Sequence, residues 1–243
     1  MIEAHGLFQW KSEVVLQTTS GSATVQLRTL GGVEDEQRGD AALAASMIAK
    51  AELENTKSQL YTHHIAPLKT LNREGVIDII LALQRGLFIR EAQWRVEPLG
   101  TPDPPEEQLV GTDVVRKPGL NDILKWQDKR DSLHGELEER RAEWVGEQVE
   151  ALEKELRGLK KAELQKKAVN LHSGAIVERA YNREWDWQTV FLGSFKDEDC
   201  TRPFFKTVQE VRGLPRPVFL KVASAYLELD AFSKNPDALK NSS

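Results

Sequence analysis

The stretch Leu120–Asn170, LNDILKWQDKRDSLHGELEERRAEWVGEQVEALEKELRGLKKAELQKKAVN, decides the fold class. It holds no proline and is dense in Glu, Lys, Arg, Gln and Leu, residues that lose little on entering a helix. At about 1.5 Å per residue such a helix spans roughly 75 Å, beyond ordinary globular helix length. Leu133, Leu137, Arg140 and Trp144 follow a 4-3-4 spacing, and Val145, Val149, Leu152, Leu156 and Leu159 a 4-3-4-3 spacing, the two registers offset by one residue. A stripe that slips in this way drifts around the helix axis, which suits a short antiparallel hairpin or a partner groove better than an extended coiled coil. Two places allow the chain to fold back. Gly158 is one; His172-Ser173-Gly174 is the other and is favoured, because Asn170 and Ser173 are poor helix-interior residues and Ser173 is a fair N-cap. Acids dominate from Glu136 to Glu155 and bases from Lys154 to Lys167. That asymmetry would pair across a hairpin or with a neighbouring molecule, and a plainly solvated charged face accounts for it equally well.

Working outward, residues 1–96 read as a β-hairpin followed by helices. Glu13–Gln17 and Ala23–Arg28 flank a Thr/Ser/Gly turn, and Ala23, Val25 and Leu27 alternate with Thr24, Gln26 and Arg28 as in a half-buried strand. Two strands alone are marginal, so the ribbon must lie on something. After Gly31-Gly32, the run from Val33 to about Leu60 starts with Glu34, Asp35 and Glu36, favourable at the positive end of a helix dipole. It carries a thin stripe of Ala41, Ala42, Ala44, Ala45, Ile48, Ala49 and Leu53. Asn72 is the expected N-cap of a helix to about Val96 with Val76, Ile79, Ile80, Leu83, Leu87 and Trp94 as its apolar positions; its β-branched middle makes a strand over Val76–Leu83 the rival reading. Residues 97–119, rich in Pro and Gly, read as a linker or extended wrap, 120–170 as the charged arm, 171–232 as a C-terminal helical lobe, and 233–243 as a polar tail. The fold class is therefore mainly α with a small N-terminal β-hairpin (α+β), built on a long charged helix or helical hairpin.

Composition narrows the function classes. A net charge of -5 argues against nucleic-acid binding, which needs clustered Lys and Arg in excess. No apolar window reaches membrane-spanning length, and MIEAHGLFQWKSE lacks the features of a secretory leader, so a cytoplasmic protein is expected. Cys200, the single cysteine, permits no internal disulfide and sits in an acidic turn that disfavours a thiolate, so an inert thiol is expected. Phosphate loops, dinucleotide fingerprints, serine elbows and paired-histidine zinc motifs are absent by spacing. Adjacent His63 and His64 point roughly 100° apart on a helix and do not readily chelate one metal together. Asp197, Glu198 and Asp199 lack the spacing of a calcium loop, and Glu184 and Asp186, beside Trp185 and Trp187, are read as part of a packed aromatic region. No catalytic residue and no cofactor is expected.

The segment Phe195–Leu229, FKDEDCTRPFFKTVQEVRGLPRPVFLKVASAYLEL, is the most informative for function. Asp197–Asp199 form an acidic turn, Pro203-Phe204-Phe205 follow, Thr207 and Glu210 have capping-box spacing before a short helix at Val208–Arg212, and Leu214-Pro215 opens a helix ending Leu227-Glu228-Leu229. This arrangement resembles the C-terminal part of tail assembly chaperones of long-tailed bacteriophages, and the N-terminal hairpin followed by glycines and acids is similar to how such proteins begin. The match covers about a seventh of the chain. The arm Leu120–Asn170 departs from the group in its length. The resemblance implies a non-catalytic bacteriophage protein in the host cytoplasm that keeps the tape-measure protein soluble and helps recruit tail-tube subunits. The alternative is a structural virion component of the neck, tail or baseplate using the same helix for assembly. The residues expected to contact a partner or a sister copy are Leu133, Leu137, Trp144, Val149, Leu152 and Leu156 on the arm, and Trp185, Trp187, Phe204, Phe205, Phe219 and Tyr226 in the lobe.

Overall fold

The structure, a computed structural model, describes residues 10–18, 21–100, 102–105, 108–109, 115–116 and 119–234. It is mainly α with a small antiparallel sheet. The chain forms two compact units, one from residues up to His63 together with those from Ser173 onward, the other from His64 to His172. The polar tail expected over 233–243 lies outside the described residues beyond Lys234.

In the first unit, β1 (Lys11–Thr18) pairs antiparallel with β2 (Gly21–Arg28), Val14 opposite Val25 and Leu16 opposite Ala23. The alternation read from the sequence is realised: Val25 and Leu27 are fully buried while Thr24 is exposed. A short third strand, Ser194–Phe195, continues the sheet beside β2. Helix α1 (Gly32–Glu54) starts where Glu34 accepts a hydrogen bond from the Gly31 amide at 2.8 Å and pairs with Arg28. Its buried stripe is Ala42, Ser46, Ala49 and Leu53; Ile48, expected in the stripe, is exposed together with Leu43 and Met47.

The ribbon lies on α7 (Arg216–Lys234), the C-terminal part of α5 (Lys161–Gly193) and the short helix α6 (Val208–Arg212). Val14, Leu16, Val25, Leu27, Val190, Phe205, Val211, Val222, Tyr226 and Leu229 form the core. The Tyr226 hydroxyl accepts from the Leu30 amide at 3.0 Å, and burial pushes its pKa up to about 12. A Cβ at Gly193 would fall 2.7 Å from the Tyr226 ring, so only glycine lets the end of α5 meet that ring. The capping box expected at Thr207 does not form. Thr207 makes no side-chain cap bond, and Glu210 accepts instead from the Lys206 amide at 2.9 Å.

The second unit is helical. A π-turn at Tyr61–Ile65 leads into α2 (Ala66–Thr70), then α3 (Arg73–Arg95) and α4 (Leu120–Gly158). Asn72 caps α3, its Oδ1 accepting from the Gly75 amide at 2.8 Å. Residues 76–83 are helix, not strand, and Trp94 is 87% exposed where Ala92 turns inward. The fold-back falls at Leu159-Lys160, just after Gly158, and α5 runs unbroken through Ser173-Gly174, against the expectation that the second site would break first. The reason is packing. Folding at Leu159 gathers Leu156, Leu164 and Ala168 with Val76, Ile77 and Ile80 into one core. Burying a leucine stabilises by about 1.5–3 kcal/mol, more than the roughly 1 kcal/mol that a helical glycine costs. Arg73 donates to the carbonyls of Arg157 and Leu159 at the end of α4, and Glu163 accepts from the Lys160 amide at 2.9 Å to start α5. Lys167 meets Glu155 across the turn at 2.8 Å, whereas Arg140, Arg141 and Arg157 pair with Glu136, Glu138 and Glu153 along α4 itself. Within the Pro-rich segment, Pro102 accepts from the Trp126 indole at 2.8 Å, and Gln108–Leu109 pairs with Val115–Arg116.

Candidate functional site

A groove with a volume of about 500 Å³ lies in the helical unit between α3 and α4. Ala92 and Val145, both buried, form its floor; Ile89, Ala142, Gly146 and Val149 form its walls; Arg85, Gln93, Glu138, Arg141 and Glu150 form its rim. On each helix these positions recur at three- and four-residue steps, which places them on one face. Small residues at Ala92, Ala142 and Gly146 leave room for another backbone to approach, and a Cβ at Gly146 would meet nothing within 4 Å. From Glu138 to Glu150 the groove runs about 18 Å along α4, the length of a three-turn helix. Its rim carries both signs of charge, with Arg141 held to Glu138 at 2.6 Å. Beside it Phe88 and Trp144 meet edge to face at 6.2 Å between ring centroids.

A second depression follows on α4 where Leu133 and Leu137, with Arg130, Asp131 and His134, face Leu99 and Pro102. The Pro-rich segment therefore lies back on α4 at this point, and the two leucines are half-buried.

The residues expected to meet a partner divide by burial. Val149 lines the groove, Trp144 stands next to it, and Leu133 and Leu137 line the second depression. Leu156 is fully buried and Leu152 packs against the same core, so both hold the unit together. Phe205 and Tyr226 are core residues of the first unit, with Phe204, Phe219 and Trp187 packed against them half-exposed. Trp185 is covered by the Arg38 guanidinium, 3.8 Å above its ring, while Arg38 also donates to Thr189 at 3.0 Å. The sequence reading missed Ile89, Ala92, Ala142 and Gly146. Their signal was present as matched helical spacing on two separate segments, and only the pairing of α3 with α4 makes that spacing a groove.

The carboxylates and the thiol are tied into structure. Buried Glu184 pairs with Arg212 and accepts from Gln188 at 2.8 Å, and Arg212 lies 4.9 Å from the Trp187 ring centroid. Burial pushes the Asp186 carboxyl above the usual carboxylate range, with the Arg38 charge opposing it. Asp197 accepts from the Thr201 hydroxyl at 2.6 Å and from the amides of Thr201 and Arg202, which hold its carboxyl far below the usual carboxylate range. Cys200 is buried in that turn with φ at 55°, in the left-handed region, and burial pushes its thiol up despite Lys11 and Arg28. It is held as a thiol at neutral pH. Among the described residues no cluster of three or more His, Cys, Asp or Glu side chains is placed to hold a metal, and no helix is long and apolar enough to cross a membrane.

Comparison with protein-family models, with curated proteins and with solved structures gives no match to this chain.

Proposed function

We propose that the chain is a non-catalytic tail assembly chaperone of a long-tailed bacteriophage, acting in the host cytoplasm to keep the tape-measure protein soluble while tail-tube subunits gather on it. The observation that carries the reading is the groove between α3 and α4: an apolar floor, small wall residues and a charged rim along about three helical turns. A tape-measure protein is a long helix with exposed apolar stripes, and a helix seated in this groove would bury such a stripe at its i, i+3, i+4 and i+7 positions. The rim charges would then select its flanking polar residues. The sequence likeness of Phe195–Leu229 supplies the biological setting.

Coexpression with the tape-measure protein tests this. The expected result is a soluble client with the wild-type chain and an aggregated one with Gly146→Trp, which fills the groove from an exposed position without touching the core. A client that aggregates equally with the wild-type chain overturns the reading. Exposed Leu43, Met47 and Ile48 on α1 and Leu220 and Leu227 on α7 favour a second reading, a virion component with permanent interfaces. Mass spectrometry of purified particles separates the two, since a chaperone is missing from the finished tail.

A further inference from the structure

His64, in the π-turn, and His172, in α5, are the first and last residues of the helical unit and stand 108 residues apart in sequence. His172 Nε2 and His64 Nδ1 are 3.4 Å apart, with ring centroids at 5.5 Å and planes tilted by 42°. As a hydrogen bond this contact is long, since N–H donors sit at about 2.7–3.2 Å from their acceptors. As a chelate it has the right span. Two imidazole nitrogens each about 2.0–2.1 Å from one tetrahedral metal ion are separated by roughly 3.3–3.4 Å. The π-helical turn is a second, independent observation: such turns are rare and are frequent at functional sites.

We infer that His64 and His172 form a two-histidine site for a divalent late transition metal ion, with zinc as the reference case. A nitrogen-only pair suits zinc, nickel or copper and gives magnesium and calcium none of the oxygen ligands they require. Both rings are half-buried, so water completes the coordination sphere. Because the described residues supply no third His, Cys, Asp or Glu there, the site binds more weakly than a closed four-ligand zinc centre. Its consequence is mechanical. The ion joins the two ends of the unit, and a clip that closes a long loop removes the most freedom from the unfolded chain. The ligand form of each ring is neutral, so acid releases the metal. This inference is independent of the groove and of the client proposed for it.

The test uses the full chain without a polyhistidine tag, titrated with zinc and, as a control, with magnesium. Zinc is expected to bind at one ion per chain, to shift the Cε1 proton resonances of His64 and His172 together, and to raise the unfolding midpoint of the helical unit. With zinc at about ten times its Kd the rise is about 3–6 °C. His64→Ala and His172→Ala each weaken binding about tenfold or more, while His63→Ala and His134→Ala leave it unchanged. Zinc binding at wild-type affinity in either of the first two variants overturns the inference. So do wild-type His64 and His172 resonances that stay fixed at about 1 mM zinc, a readout that needs no variant to fold.

Discussion

The two units bury their apolar residues by different means. In the first, residues from both ends of the chain, such as Val14, Val25, Val190 and Tyr226, close on one another, and even the Lys221 ammonium reaches the Val15 carbonyl at 2.7 Å. In the second, a core of neighbouring helices closes at one end of the α3–α4 pair, around Ile80, Leu156 and Leu164, while further along the same pair Ile89 remains 52% exposed beside an open groove. The difference is one of coverage. Where α5 supplies Leu164 and Ala168 the helix pair is covered; at Val145 and Val149 the same kind of face is left with an open side. An uncovered helix pair is what a third helix from another molecule would complete.

The largest expected effect breaks the closed end. Leu156→Ala leaves a cavity at a fully buried position and is expected to cost about 2–5 kcal/mol, read as a lowered urea midpoint for the amides of the helical unit in hydrogen exchange. The first unit is best probed with alkali. Tyr226 titrates near 12 when folded and near 10 when unfolded, so the folded state keeps a proton that the unfolded state loses. Its stabilisation is complete below pH 10 and is lost as pH rises towards 12, on the order of 3 kcal/mol in all. Tyr226→Phe is expected to flatten that alkaline loss in a pH series of urea denaturations; an unchanged slope would assign it to another group. The smallest effect on stability sharpens the comparison most. Ile89→Gln, at the open groove, is expected to change stability by no more than about 0.5 kcal/mol while lowering capture of the helical client in the coexpression assay.

Much of the fold was legible in local pattern. The alternation Ala23, Val25, Leu27 marked a strand, Asn72 marked a helix start, and the proline-free run from Leu120 marked a long helix, because each depends on neighbours within a few residues. The place of the fold-back was harder. Ser173-Gly174 is locally the weaker helix, yet the turn falls at Leu159, since burial of Leu156 against Leu164 and Ile80 outweighs propensity. Three of the candidate contact residues, Leu156, Phe205 and Tyr226, lie in the cores of the two units. Leu156, Phe205 and Tyr226 are apolar in either role, and periodicity alone does not say whether a stripe faces a core or a partner.

Local sequence pattern accounts for most of the helices and strands, the thin apolar stripes they carry and the charge on their faces. Tertiary structure decided which stripes are consumed and which stay open. It made a groove from Ile89 and Val149, and it brought His64 to His172 across 108 residues, where the adjacent pair His63-His64 had suggested no metal site. The physical reason is range: propensity and periodicity act within a few turns, whereas burial and ligand geometry depend on which distant faces meet.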